Sequence, residues 1–183
     1  MSKAVMLSIR PKWAEKIASG EKTIEVRKTK PKLQTPFKCY IYCTLQGCNE
    51  FFRVDLGRDV AKWNRGKWAD RKGKVIGEFT CDQIIDAWWD YVPDAITREV
   101  TGGNLESLDG TGMTDEELFS YVGDSMRGHC YGWHISDLRI YDEACELSEF
   151  TGLRNTRFGA APYDIKRPPQ SWCYVEAMKD DNG

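Results

Sequence analysis

Between residues 5 and 27 the apolar pattern changes period twice, and that alternation limits the fold more than any other feature. Val5, Leu7 and Ile9 alternate at period two, Trp13, Ala14, Ile17 and Ala18 recur at helical spacing, and Ile24 and Val26 alternate again. Pro11 suits the first helical position, where its missing N–H would have no partner in any case. Ser8 or Arg10 is the entry residue, and Gly20 ends the helix because glycine takes a left-handed conformation without steric cost. The pattern predicts a strand, a short helix, a glycine stop and a second strand. In that second strand Glu25 and Arg27 share one face, ~6–7 Å apart, opposite the inward aliphatics. Lys22 stands at the turn before it, able to swing toward either face. Two readings stay open here: a polar ligand site, or a strand whose solvent side carries a salt-bridged pair.

Beyond this unit the chain is mostly short strands and long loops. Cys39 to Thr44 and Trp172 to Glu176 read as strands, and Lys74 to Trp89 reads as one long strand that Gly77 bends or bulges. Cys130 to Asp142 reads as extended chain with an irregularity at Ser136-Asp137. Thr114 and Glu117 form a capping box that starts a helix running to about Val122, and Gly123 closes it. Leu147 to Phe150 is a short helical turn. Residues 28–38 are expected as a lysine-rich surface loop, 101–112 as a flexible loop or lid, and 154–167 as an irregular basic loop. Trp63 and Trp68 lie between Lys62, Arg65 and Lys67, either a surface for single-stranded nucleic acid or anchors for a long insertion. The sum is an α+β fold built on a small curled sheet or barrel, with few short helices and long loop insertions. One domain is expected over 1–178, with insertions near 46–72 and 92–128 and a disordered tail at 179–183.

The net charge of −2 hides an asymmetry. Residues 1–74 hold 18 Lys and Arg against 7 Asp and Glu, and residues 75–183 hold 8 against 21. A basic face for a polyanion with an acidic flank is one meaning; cancellation in space is the other. The seven cysteines are odd in number and scattered through apolar patterns, so they are expected as reduced thiols. Cys39 and Cys43 lack the paired spacing of a zinc site, and His129 and His134 are expected as buried, hydrogen-bonded side chains. The sequence has no apolar run of membrane-spanning length and no signal-peptide pattern, which makes a cytoplasmic location the expectation. No phosphate loop, dinucleotide fingerprint or metalloprotease motif appears, and no cofactor is expected.

The motif Gly20-x-Lys22-x-x-Glu25-x-Arg27, preceded by strand and helix, resembles the signature of the ASCH family of the PUA-like superfamily. Segments 75–82, 133–142 and 167–176 are similar to those of ASCH proteins common in phages and mobile elements. The resemblance implies a PUA-like β-barrel with a cleft beside the first helix, and it makes Lys22, Glu25 and Arg27 cleft residues. The superfamily is associated with RNA and modified bases. One ASCH-like branch contains amidohydrolases of N4-acetylcytidine; Lys22 matches their lysine, and Glu25 stands where they carry a threonine.

Two functions follow. In the first, the chain binds RNA, single-stranded nucleic acid or a modified nucleotide. Lys22 and Arg27, with Arg10 at the helix entry, would meet phosphates or base edges, Glu25 would orient Arg27, and Trp133 or Trp172 would offer a stacking ring. In the alternative, a hydrolase acts on nucleic acid or an acylated nucleoside, with Glu25 as general base and Lys22 stabilising the oxyanion.

Overall fold

The computed structural model describes residues 2–45, 71–91, 100–123 and 127–178. The opening unit forms as its periodicity requires: β1 (Lys3–Ile9), α1 (Pro11–Ala18) and β2 (Ile24–Arg27). Arg10 is the N-cap residue of α1 and makes no side-chain cap, while Ser19 ends the helix and Gly20 follows at φ 81°. The other strands are β3 (Phe37–Cys43), β4 (Val75–Cys81), β5 (Ile84–Tyr91), β6 (Val100–Gly103), β7 (Arg127–His134), β8 (Ser136–Cys145), β9 (Thr151–Thr156), β10 (Gly159–Asp164) and β11 (Trp172–Glu176). A second helix, α2 (Asp115–Val122), begins at the capping box of Thr114 and Glu117 and closes at Gly123, φ 93°.

The strands divide into two sheets in place of the expected barrel. A seven-stranded sheet has the order β10-β9-β11-β1-β3-β4-β8, and a four-stranded sheet has the order β2-β7-β5-β6. β1 lies inside the larger sheet, antiparallel to β11 and parallel to β3, and both of its faces are covered. Val5, Leu7 and Ile9 pack with Ala14 and Ile17 of α1 and with Trp133, while Ala4 and Met6 pack on the opposite side with Tyr40, Phe150 and Val175. The smaller sheet closes over the first cluster. Its far face, with Ile24, Val26, Ala87 and Trp89, is covered by Leu108 and by Leu118 of α2.

Several expectations give way to this arrangement. The long strand from Lys74 to Trp89 is two strands that separate at Asp82-Gln83 and join different sheets. Gly77 does sit at a register shift, and the strands approach so closely there that a Cβ would lie 2.5 Å from the Arg139 carbonyl oxygen. The stretch 101–112 holds the end of β6 and a 3₁₀ turn at Leu105–Leu108, which packs into the core. Residues 151–164 form an antiparallel hairpin, β9 with β10, where an irregular loop was expected. Trp63, Trp68 and the tail at 179–183 lie outside the described residues. Among the described residues no helix is long and apolar enough to cross a membrane.

Candidate functional site

Both faces of β2 are buried, so the pair does not lie on a solvent side, as one of its two readings had it. Lys22, Glu25 and Arg27 are only 2%, 7% and 5% exposed. Antiparallel pairing sets Glu25 opposite Trp133 and Arg27 opposite Tyr131, so these side chains share the face that looks toward the larger sheet. The aliphatics Ile24 and Val26 occupy the other face, beneath α2.

The three charges form a chain. Glu25 Oε1 lies 2.9 Å from Arg27 Nη2, and Glu25 Oε2 lies 3.4 Å from Lys22 Nζ. Arg27 also donates through Nη2 to the Ser8 carbonyl oxygen at 2.9 Å, and through Nη1 to the Ser171 carbonyl and hydroxyl oxygens at 3.2 and 3.3 Å. Ser8 lies near the end of β1 and Ser171 precedes β11, so one guanidinium fork ties the smaller sheet to the larger one. At the other end Lys22 Nζ donates to the Thr111 carbonyl oxygen at 2.7 Å and lies over the Trp13 ring. Burial lowers the Lys22 pKa below the usual lysine value, and the Glu25 carboxylate opposes that shift. A buried ionic chain of this kind is costly to form, and it holds only when each member keeps its partners.

Of the other expected site residues, Trp172 follows the Ser171 that Arg27 bonds, and Trp133 is core. Trp133 is 0% exposed, packed edge-on against Phe37 and 6.0 Å from the Trp172 ring, so no face of it is open for stacking. Trp172 is half-buried, donates from Nε1 to Thr29 Oγ1 and packs against Tyr174. Arg10 is exposed at the start of α1, apart from the buried chain. Two donors on this side, Arg27 Nε and Trp133 Nε1, are buried without an acceptor among the described residues. The histidines are half-exposed rather than buried, because they lie on the rim of β7: His129 Nε2 meets Asp86 at 2.5 Å and His134 Nδ1 meets Asp82 at 2.7 Å. Among the described residues no three or more His, Cys, Asp or Glu side chains stand together as metal ligands.

What the sequence reading missed is the surface above the chain. Lys12, Lys16 and Lys22 surround the Trp13 ring at 4.6, 5.5 and 5.2 Å. Lys28 lies 5.5 Å from the Tyr121 ring of α2, and Lys30 lies 4.7 Å from the Tyr131 ring of β7. The spacing of Lys12 and Lys16 about Trp13 was visible in the sequence. The pairings of Lys28 with Tyr121 and Lys30 with Tyr131 join residues about 90 to 100 positions apart and left no local signal.

Residues 7–48 match the family model described as the ASCH domain. Over that stretch the chain is similar to ASCH domains. Its solved structural neighbours include ASCH from Zymomonas mobilis, at TM-score 0.53 and 17% identity over 94% of this chain and 87% of that one. A mutant protein of the same Zymomonas ASCH superposes at TM-score 0.50 and 15% identity, over 94% and 90% of the two chains. At such identities the likeness is one of fold. No curated protein matches the sequence. The fold shared with these ASCH structures thus extends over most of this chain, whose strands part into two sheets.

Proposed function

We propose that this ASCH domain, as a single module over residues 1–178, binds RNA or another single-stranded nucleic acid along the cleft side of α1. The observation that carries the reading is the run of lysines over rings. Lys12 and Lys16 on Trp13, Lys28 on Tyr121 and Lys30 on Tyr131 lie along α1, β2 and the loop that follows. Cations for phosphates and rings for bases are what a single-strand surface needs. Contacts through α1 and α2 make the run continuous, since Lys12 Nζ bonds Glu117 of α2 at 2.6 Å. The buried chain of Lys22, Glu25 and Arg27 fixes the ground on which these residues stand. The ASCH family's association with nucleic acid adds to the reading.

The test is fluorescence anisotropy with a labelled single-stranded RNA, its DNA counterpart and a duplex, at increasing salt. Single strands are expected to bind more tightly than duplex. Log affinity is expected to fall against log salt with a slope of about −0.7 for each phosphate contacted. The triple variant Lys12→Ala, Lys28→Ala, Lys30→Ala is expected to weaken binding at least tenfold and to flatten that slope by about two units. Absence of binding at low salt, or a triple variant that binds like the native chain, refutes the proposal.

A further inference from the structure

The tip of the β9–β10 hairpin is unlike the rest of the acidic half of the chain. From Thr151 to Tyr163 it contains no acidic residue, and it carries Arg154 and Arg157. Phe158 at the tip is 86% exposed, the most exposed of the large apolar side chains among the described residues. The turn that presents it is held from within: Thr156 Oγ1 accepts from the Phe158 N–H at 3.2 Å and donates to the Gly159 carbonyl oxygen at 2.8 Å. Gly159 takes φ 113°, a conformation that side chains rarely adopt, so the turn shape is specified by sequence. The Arg157 guanidinium lies 4.6 Å from the Phe158 ring centroid, over one face. A lone exposed phenylalanine needs no explanation. One held on a pre-formed turn with an arginine on its ring and a second three residues before that one, with no carboxylate in the stretch, does.

We infer that Phe158 is a stacking wedge for a nucleobase, with Arg157 and Arg154 reading the phosphates on either side. Inserted apolar side chains and ring–base stacks are common means of holding nucleic acid, and a rigid turn lowers the ordering cost. Position supports the same partner. Asn155 Oδ1 accepts from Lys3 Nζ at 3.0 Å, Lys3 lies over the Tyr174 ring, and the Tyr174 hydroxyl accepts from the Lys32 N–H at 2.8 Å. That chain of contacts joins the hairpin to the 28–38 loop, which bears Lys28 and Lys30. A strand that runs along the lysines can reach the wedge. The inference rests on the nucleic-acid reading given above and adds a base-stacking contact at a second element.

The deciding experiment compares the native chain with Phe158→Ala and Phe158→Trp on two labelled single strands, one with bases and one abasic of equal length. Phe158→Ala is expected to weaken binding to the strand with bases by roughly tenfold, Phe158→Trp to restore it, and neither to alter binding to the abasic strand. The urea midpoint is expected to stay put, because the ring contacts little of the fold. Equal affinity of Phe158→Ala and the native chain for the strand with bases overturns the wedge and leaves the lysine surface standing. An equal loss on both strands assigns Phe158 to the turn's structure and also overturns it. A native chain that binds neither strand overturns both proposals. Loss of binding to anionic phospholipid vesicles, with nucleic acid unaffected, replaces the base with a membrane surface and overturns the wedge.

Discussion

Two groups of cations lie within a few residues of each other and live in opposite surroundings. Lys22 and Arg27 are buried, and their side chains turn to the protein itself, to Glu25, Thr111, Ser8, Ser171 and Trp13. Lys28 and Lys30 begin at the next residue, are exposed, and rest on tyrosine rings. The same charge does two jobs. Where water is excluded, a cation with a fixed carboxylate holds two sheets in register. Where water is present, a cation on a ring is free to exchange its solvent for a phosphate. The difference shows that a polar motif on a strand is not by its composition a binding site; what covers it decides.

The largest test of this contrast removes the anion from the buried chain. Glu25→Gln keeps the side-chain size but leaves Lys22 and Arg27 without a compensating charge. A loss of about 3–5 kcal/mol in urea unfolding is expected. A loss under about 1 kcal/mol would mean that the chain is hydrated in solution and that the brace is not needed. Arg27→Lys should cost less, about 1–3 kcal/mol, because a single ammonium cannot hold Glu25, Ser8 and Ser171 together as the planar fork does. If that substitution were neutral, the bridge between sheets would lie elsewhere. The exposed side reverses the pattern. Lys28→Ala with Lys30→Ala should leave the unfolding free energy within about 0.5 kcal/mol of the native value, since Lys30 meets Asp86 only at 3.8 Å on an open surface. The same pair should weaken RNA binding several-fold in anisotropy. Binding that survives while stability falls would exchange the roles of the two groups.

Sequence made the local elements legible and left their covering out of view. The helix of α1, the Gly20 stop, the capping box at Thr114 and the strand of β11 each depend on residues within a turn or two, and each formed with the expected bounds or within a residue or two of them. The break at Asp82-Gln83 was hidden because strand formers run on both sides of it. Which sheet each half joins is set by β8 and β7, about 50 residues later. The hairpin at 151–164 was hidden by Gly, Asn, Pro and Asp in its strands, residues that strands usually avoid. The site was half legible. Lys22, Glu25 and Arg27 do meet, but the cover at the Lys22 end comes in part from Thr111, which lies 89 positions later in the chain. Trp133 could not be told from a stacking platform, since its core position follows from pairing with Glu25 and Ile84.

The smallest effect is a titration at the join between the two groups. Lys12 rests on Trp13 and also bonds Glu117, whose carboxyl it pulls below the ordinary glutamate value, with the Thr114 N–H of the capping box helping. A group whose folded pKa is depressed adds stability above its unfolded pKa, here about 4.3, and loses it as pH falls through the lower folded value. Lys12→Ala should therefore move the Glu117 titration upward when followed by carboxyl NMR. It should also shrink the acid-side loss of stability below about pH 4.3, and cost only a few tenths of a kcal/mol near neutral pH because both side chains are partly exposed. RNA affinity at neutral pH should fall more than stability does. A Glu117 titration left in place by Lys12→Ala would mean that Lys12 is already committed to Trp13 and solvent, and that the capping box alone sets the carboxyl. The exposed group would then be independent of α2, and the lysine run would end at α1 instead of passing on to Tyr121.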